Sequence, residues 1–415
     1  MKNKKYMDLL LPAYQKLYSA LQSLERFSKG QDLFDNIACI DNFLSEYRNV
    51  TFVLQKSLAH TDYLSVYEKL RDKHLKNPHC SWLVIKRNEV LKEAPFPLEK
   101  QLILRIYLPF ETGVFPIESY TIADEVDFSS LIEIVKRVIS NLPAIEVFFS
   151  TEFIYKKIGE DINLFKTIDF GIQSIMTMLN ELDKEISVEP SQARKTLLDK
   201  IDKLFFYKVP QEAWFVDDYV YYKDGNFFEK GHRFEMITSS STGVKYSVLC
   251  NMLQVKITDD FIQDTFEAFK RLHIFHFTMQ KSIMPTVLTL DKDGILSMTM
   301  YHASIKTTTY RKIHEIASEI KTKTDIVAVF IVGEMLIYNN VKIFNKDYRY
   351  RVENSQSELL VFDKITKDDV EQYFISSEAI TKNSKDCLFP TLTKAESHES
   401  TSFIYPIIKA FSEQS

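Results

Sequence analysis

An arginine followed by an amide side chain, Arg87-Asn88, is the pair in this sequence whose chemistry is easiest to name. A guanidinium group stabilises charge that develops on a phosphate, but it cannot act as a base at neutral pH. Cleavage of RNA by its own 2′-hydroxyl also needs a group that exchanges protons near pH 7, and histidine is the side chain that titrates there. The following positions hold Lys92, Glu93 and Ala94 instead of a histidine. The pair therefore predicts phosphate binding more directly than phosphate chemistry.

A structural role for the same pair is the alternative to phosphate binding. In that interpretation Arg87 forms a salt bridge with Glu93 or Asp72, and Asn88 caps a helix or bonds to backbone groups. Lys92 or Glu93 would serve in catalysis only with a strongly shifted pKa.

A single carboxylate interrupts an apolar run further along the chain. Glu334 follows Gly333 within residues 326–338, which otherwise read as a buried strand. An unpaired carboxylate is costly to bury, so we expect Glu334 near a strand end, paired with His302 or Lys306. Because ligand sites in α/β proteins often lie at strand ends, Glu334 and His302 are the candidate ligand-binding residues.

Two further groups resemble parts of metal sites. His273 and His276 are three residues apart in a helical stretch, and Asp217-Asp218 lies among aromatic residues. Neither group has a third ligand at a suitable spacing. We expect a buried helix end for the histidines and a solvated loop for the aspartates, and we predict no metal site and no cofactor.

The composition is that of a globular protein with more than one domain. The chain has 415 residues, of which 45% are hydrophobic and 26% are charged. Its net charge of −5 disfavours a surface covered in nucleic-acid contacts but leaves room for a local basic patch. Only 9 glycines are present and no glycine-rich phosphate loop occurs.

The cysteines and the apolar runs indicate a cytoplasmic protein without a membrane anchor. The four cysteines are far apart and form no CxxC pair, so we expect reduced thiols. The apolar run near residues 9–11 is too short for a signal peptide, and no run approaches the roughly 18 residues of a membrane span.

Apolar residues recur with helical spacing four times in the first hundred residues. The predicted helices cover residues 6–27, 31–58, 61–75 and 79–93. Four helices joined by short connections favour an antiparallel bundle.

The pattern is mixed after the bundle. A strand is predicted at 101–108, followed by helices at 128–140, 151–184 and 191–206. Beyond Pro210 the sequence turns aromatic and extended, with hairpin turns at 223–226 and 291–294, an exposed loop at 238–243, a helix at 307–321, and strands at 286–290, 295–301, 326–338 and 358–362.

These elements predict an α+β protein in three consecutive segments. The N-terminal helical bundle covers residues 1–98, and a mixed, mostly helical segment covers 99–205. A C-terminal mixed α/β-sheet domain covers 206–415 and contains a polar stretch near 381–402 that we expect to be mobile.

The bundle over residues 6–95, with Arg87-Asn88 near the middle of its last helix, resembles the HEPN superfamily (higher eukaryotes and prokaryotes nucleotide-binding). Members of that superfamily are helical bundles, and many are metal-independent RNases with an R-x4–6-H motif. The family histidine would fall at position 92, 93 or 94. The resemblance implies a module that binds RNA, a nucleotide or a protein partner, including a second copy of the chain. It also implies a bacterial toxin–antitoxin or antiviral setting.

Three functions remain open on the sequence. The leading hypothesis is a non-catalytic interaction or regulatory protein that uses the HEPN-like bundle for binding. The first alternative is a metal-independent RNase in which Arg87 and Asn88 act with an unrecognised base. The second is a small-ligand sensor with its site near Glu334 and His302.

Overall fold

The computed structural model describes most of the chain, and the structural statements below refer to the residues it describes. These are residues 8–27, 32–107, 118–122, 128–142, 146–187, 189–208, 214–223, 225–231, 240–339, 348–385, 390–395 and 402–413.

The chain alternates groups of helices with groups of strands. The described helices are α1 (Leu11–Glu25), α2 (Leu33–Leu58), α3 (Tyr63–Leu75), α4 (Pro78–Lys92), α5 (Phe128–Ser140), α6 (Leu164–Ile186), α7 (Gln192–Asp202), α8 (Tyr246–Met252), α9 (Phe261–Gln280), α10 (Lys306–Thr322), α11 (Tyr348–Glu353), α12 (Ser377–Lys385), the 3-10 helix Ser402–Ile404, and α13 (Tyr405–Ser412). The described strands are β1 (Leu98–Tyr107), β2 (Glu118–Ile122), β3 (Glu146–Lys157), β4 (Val216–Tyr222), β5 (Phe227–Lys230), β6 (Ser240–Lys245), β7 (Thr286–Asp291), β8 (Ile295–Met300), β9 (Ile326–Ile337), β10 (Ser357–Thr366), β11 (Val370–Ser376) and β12 (Thr393–Lys394).

The strands form two sheets and the chain forms two compact units. One sheet has five strands in the order β2-β1-β3-β4-β5, and the other has seven in the order β12-β11-β10-β9-β7-β8-β6. The first unit comprises Met1–Ile103, Glu118–Val135 and Thr151–Val216, and the second comprises Leu104–Ile117, Lys136–Ser150 and Asp217–Ser415. The N-terminal helices and the strand-rich C-terminal part confirm the predicted α+β class. The three consecutive segments predicted from the sequence stay a prediction.

The first unit contains the predicted helical bundle. Helices α1 to α4, α6 and α7 bury one continuous apolar core, in which Phe43, Leu54 and Leu83 are fully enclosed. Side-chain caps begin several helices, although Asp62 at the start of α3 makes no such bond. Asp32 Oδ1 accepts the Phe34 N–H at α2, in the geometry that satisfies an otherwise unpaired helix-end donor.

The second unit is built on the seven-stranded antiparallel sheet. Alternate residues of its central strand β9 enter different cores. Phe330 and Val332 pack with α8, α9 and α12, whereas Val329 and Ile331 pack with α10, α13 and the 3-10 helix. The continuous apolar sequence of β9 therefore reflects burial on both faces.

Turn chemistry fixes the register of the β7–β8 hairpin, as the sequence predicts. Asp291 Oδ1 accepts the backbone N–H groups of Asp293 and Ile295, and Gly294 has a φ of +73°. This places Leu290 opposite Leu296 across the hairpin.

Three sequence expectations are corrected. Residues 151–157, predicted as helix, belong to β3, where Thr151, Phe153 and Tyr155 are buried with the two-residue period of a strand. The exposed loop expected at 238–243 is corrected in its described part, because residues 240–243 belong to β6, and residues 238 and 239 lie outside the described residues.

The third correction concerns Asp217 and Asp218, which lie in buried β4 and not in a solvated loop. Arg311 donates from Nε and Nη2 to the two Asp218 oxygens at 2.9 and 3.0 Å, and Thr308 Oγ1 donates to Oδ2 at 2.9 Å. Asp217 lies 3.2 Å from Lys230. Bidentate pairing offsets the desolvation that would otherwise exclude these charges from a strand.

The polar stretch near 381–402 lies partly outside the described residues. The described parts are the end of α12, residues 390–395 with β12, and the start of the 3-10 helix.

Candidate functional site

Three arginines from three helices of the first unit lie close together. We call Arg48 of α2, Arg71 of α3 and Arg87 of α4 the arginine cluster. The guanidinium carbon of Arg48 lies 4.4 Å from the ring centre of Phe52, and that of Arg87 lies 5.8 Å from the same ring. The guanidinium carbon of Arg71 lies 5.9 Å from the ring centre of Tyr67. Cation–π contacts of this kind hold guanidinium planes against rings without neutralising them.

Arg48 lies near two other positive charges. Burial lowers the pKa of Arg48, the Tyr67 hydroxyl opposes that effect, and the charges of Arg87 and Arg71 lower the pKa further. Like charges lower one another's pKa only at short range, so Arg71 and Arg87 both lie near Arg48. An anion placed among them would relieve that repulsion.

Carboxylates neutralise only part of the cluster. Arg71 donates to Asp72 at 2.9 and 3.1 Å. Arg48 instead donates to Thr51 Oγ1 at 2.8 Å, and Arg87 Nη1 donates to Asn88 Oδ1 at 3.1 Å. In the part of the chain that the structure describes, neither Arg48 nor Arg87 has a carboxylate partner, and Arg87 Nε is buried without an acceptor.

The salt bridge considered for Arg87 is therefore not formed. Asp72, one of its two expected partners, bonds to Arg71 and also accepts from Lys76 Nζ at 2.7 Å. Glu93, the other, is exposed at the end of α4.

Among the described residues, no histidine contact with the arginine cluster is recorded. Lys92 and Glu93 are exposed where α4 ends. Two bundle histidines contact α6 instead. His74 Nε2 lies 3.0 Å from a Glu181 oxygen, and the ring of His79 packs on Phe170 with 4.7 Å between centroids.

Glu334 and His302 do not form the predicted pair. Glu334 lies in β9, and its Oε1 accepts the backbone N–H of Ile283 at 2.5 Å. Although the residue is exposed as a whole, burial of the carboxyl group raises its pKa to about 7, and Glu358 adds to the effect. Lys306, the other expected partner, lies near Glu146. The bond to Ile283 gives Glu334 a structural role, and the ligand-binding hypothesis stays a prediction.

The remaining histidine pair packs in the second unit. His273 is buried, and its Nδ1 lies 2.9 Å from the carbonyl oxygen of Phe269, which is bonding within α9. Burial lowers the pKa of His273 to about 4. Its ring centre lies 6.1 Å from that of His276, with the rings steeply inclined. Within the described ranges, no group of three His, Cys, Asp or Glu side chains could hold a metal ion.

Part of the cluster was missed in the sequence. Arg48 and Phe52 are four residues apart on α2, so helical spacing alone places them on one face. The approach of Arg71 and Arg87 depends on how α3 and α4 pack against α2, which has no local signal.

Comparisons of the chain with protein-family models, curated proteins and solved structures found no match. Among the described helices, none has the length and apolar character needed to cross a membrane. The inference of function therefore rests on the geometry of the arginine cluster.

Proposed function

We propose that the protein binds single-stranded RNA without cleaving it, through the arginine cluster of its helical bundle. The observation that carries this proposal is the pair of guanidinium groups, Arg48 and Arg87, that share the Phe52 ring and have no carboxylate partner among the described residues. Guanidinium groups match the oxygens of a phosphate in bidentate geometry.

Single-stranded RNA fits the cluster better than a duplex does. Unstacked bases pack on aromatic rings and on guanidinium planes, and both occur together here. Because the net charge of the chain is −5, the positive potential that attracts RNA is confined to a local patch. A patch of that size suits a short stretch of the RNA backbone.

The setting of this activity rests on the resemblance to the HEPN superfamily. A bundle of that kind without the motif histidine would act as a holding module in a toxin–antitoxin or antiviral system. A protein partner with an acidic surface would meet the same cluster, so it is an outcome that the experiment must distinguish.

The test measures binding of a fluorescently labelled oligoribonucleotide by anisotropy between 50 and 300 mM salt, roughly the range over which phosphate contacts dominate affinity. We expect Arg48→Ala and Arg87→Ala each to weaken binding about fivefold or more. Each should also reduce the slope of log K against log salt by about 0.7, the contribution of one phosphate contact on a single strand.

Arg26→Ala is the matched control, because Arg26 is an exposed arginine of the same unit outside the cluster. It should leave affinity and slope unchanged. Equal losses in all three variants would show nonspecific attraction and contradict the proposal. RNA cleavage that disappears in Arg87→Ala would favour the RNase alternative, and failure to bind RNA in any salt would leave the protein-partner hypothesis.

A further inference from the structure

The first unit contains an open cleft of about 550 Å³, within the size range of small-molecule sites. The cleft lies between the first three turns of α6, residues 206–208 after α7, residues 214–216 at the start of β4, and Glu152 and Phe153 of β3. It is separate from the arginine cluster in sequence, so the inference drawn from it does not depend on the proposed function.

Aromatic rings form one side of the cleft. The ring centres of Phe206 and Trp214 are 5.2 Å apart with an interplanar angle of 31°, and those of Phe165 and Phe206 are 5.4 Å apart. Phe215 packs beneath them, 4.7 Å from Phe165. Phe165, Phe206 and Phe215 are buried, so Trp214, which is partly exposed, is the ring that can present a face to a planar ligand.

Polar side chains of α6 form another side. Asn163, Lys166, Asp169 and Gln173 follow one another at helical spacing along the cleft. With a rise of 1.5 Å per residue, Lys166 and Gln173 are about 10 Å apart along the helix axis. Along α6, the cleft therefore has a positively charged side chain in the first turn and carboxylate and amide side chains in the next two turns.

Two residues that line the cleft, Trp214 and Lys166, have a side-chain donor with no acceptor within the described residues. The indole Nε1 of Trp214 is buried and unbonded. Lys166 is exposed and forms no ion pair, unlike Lys208, whose Nζ lies 3.7 Å from Asp202 Oδ1. The dipole of α6 adds positive potential at the Lys166 end. A buried donor without an acceptor is unfavourable, and a ligand that brings an acceptor would remove that penalty once the indole turns toward it.

The acidic groups of the cleft restrict how an anion can sit. Burial raises the pKa of Asp169, and a bond with Gln173 opposes that shift. Glu152 also lines the cleft. An anionic group would be attracted to Lys166 and repelled by Asp169 and Glu152.

We propose that this cleft binds a planar aromatic carboxylate. The ring system stacks on Trp214, and the carboxylate meets Lys166 in the first turn of α6.

The test uses the full chain and three probes that share a ring system but differ in charge. These are 2-naphthoate, 2-naphthamide and 2-naphthylmethylamine, titrated by isothermal calorimetry. We expect the carboxylate to bind about tenfold more tightly than the neutral amide, because a charge-assisted bond to Lys166 is present only for the anion. The amine should bind more weakly than the amide.

Two variants locate the site. Lys166→Gln should reduce 2-naphthoate binding to the level of the amide and leave the amide unchanged. Trp214→Phe keeps a ring but removes the indole donor, so it should weaken both ligands. Lys184→Gln is the matched control, because Lys184 is an exposed lysine of α6 outside the cleft.

Thermal unfolding of each variant establishes that it is folded before it is titrated. Absence of binding by all three probes at millimolar concentration would overturn the proposal. It would equally be overturned if Lys166→Gln left the preference for the carboxylate intact, or if the amine bound best, because the acidic groups would then dominate the cleft.

Discussion

Asp363 lies in the seven-stranded sheet with only 1% of its surface exposed. Its Oδ1 accepts a 2.7 Å hydrogen bond from Gln372, which is directly opposite on β11. Burial raises the pKa of this carboxyl group to about 7, and the bond to Gln372 opposes the shift. A neutral acid is thus favoured inside the sheet.

The raised pKa makes stability depend on pH in a defined direction. Between the ordinary pKa of 3.8 and about 7, the folded state keeps a proton that the unfolded state has lost. The free energy of unfolding therefore falls as pH rises through this window and levels off above it.

Asp363→Asn should remove this pH dependence. The amide keeps an oxygen for Gln372 and carries no charge. We therefore expect the stability of the variant relative to the natural chain to increase when the pH is raised from 5 to 8. The gain should exceed about 1 kcal/mol, the equivalent of one pKa unit. Urea unfolding at both pH values measures it. Asp368→Asn, at an exposed turn position, is the control, and a gain of the same size there would refute the assignment to Asp363.

Single residues were the hardest feature to read from the sequence. Glu334 drew attention because it interrupts a long apolar run, yet it bonds to a backbone N–H. Asp363 was not singled out, although it is the more deeply buried of the two. A sequence reports how unusual a charge is among its neighbours, whereas its burial depends on the strands and helices that cover it.

At the scale of elements, α6 approaches α2 and α4 closely at Gly171. A Cβ atom built on Gly171 would lie 2.3 Å from Leu83 Cδ1 and 3.3 Å from the Tyr47 hydroxyl. That hydroxyl also donates to the carbonyl oxygen of Gly171 at 3.2 Å. The glycine lowers helix propensity, and its lack of a side chain is what permits the contact.

Gly171→Ala should therefore destabilise the protein although alanine favours helix. Leu83 is fully buried and has little freedom to move, so we expect a loss of about 1–3 kcal/mol from overpacking. Chemical denaturation measures it. In a Leu83→Ala background the same substitution should cost far less, since the clashing methyl group is gone. If Gly171→Ala instead increased the free energy of unfolding, the expected clash would be absent, because α6 could then move away from α2 and α4 at little cost.

Elements were predicted well where the periodicity was long. The four helices of the bundle, the β7–β8 hairpin and β9 all lie where apolar spacing and turn residues place them. The error at residues 151–157 has a clear cause. A short alternating segment was merged with the longer helical pattern of α6, and tertiary pairing with neighbouring strands decided the outcome.

The whole molecule is divided in a way that composition does not reveal. Each compact unit is assembled from three separate stretches of chain, and the second unit takes Leu104–Ile117 and Lys136–Ser150 from the first half. Tyr107 and Phe148 from those stretches share an apolar cluster with Tyr222 and Ile305. A sequence has no local pattern that indicates which distant stretches of chain will join the same compact unit.

A polypeptide of residues 206–415 tests whether the predicted C-terminal domain is self-sufficient. Because it lacks Tyr107 and Phe148, we expect it to expose part of that cluster, bind a hydrophobic dye, and unfold in urea with a lower m value than its length implies. Adding residues 1–205 in trans should restore cooperative unfolding. A sharp, dye-free transition for 206–415 alone would show that the borrowed segments are dispensable.

Because the second unit contains stretches from both halves of the chain, the ribosome makes some of its parts long before the others. The segments Leu104–Ile117 and Lys136–Ser150 leave the ribosome before any residue of Asp217–Ser415 has been made, so they wait for the partners that complete their unit. At about 5–20 residues per second that delay lasts tens of seconds. Tyr107 and Phe148 therefore lack their later partners Tyr222 and Ile305 for long enough to engage a chaperone, although β1 and β3 can already pair with each other. Slowing translation after residue 216 should lower the yield of native protein more than slowing it earlier.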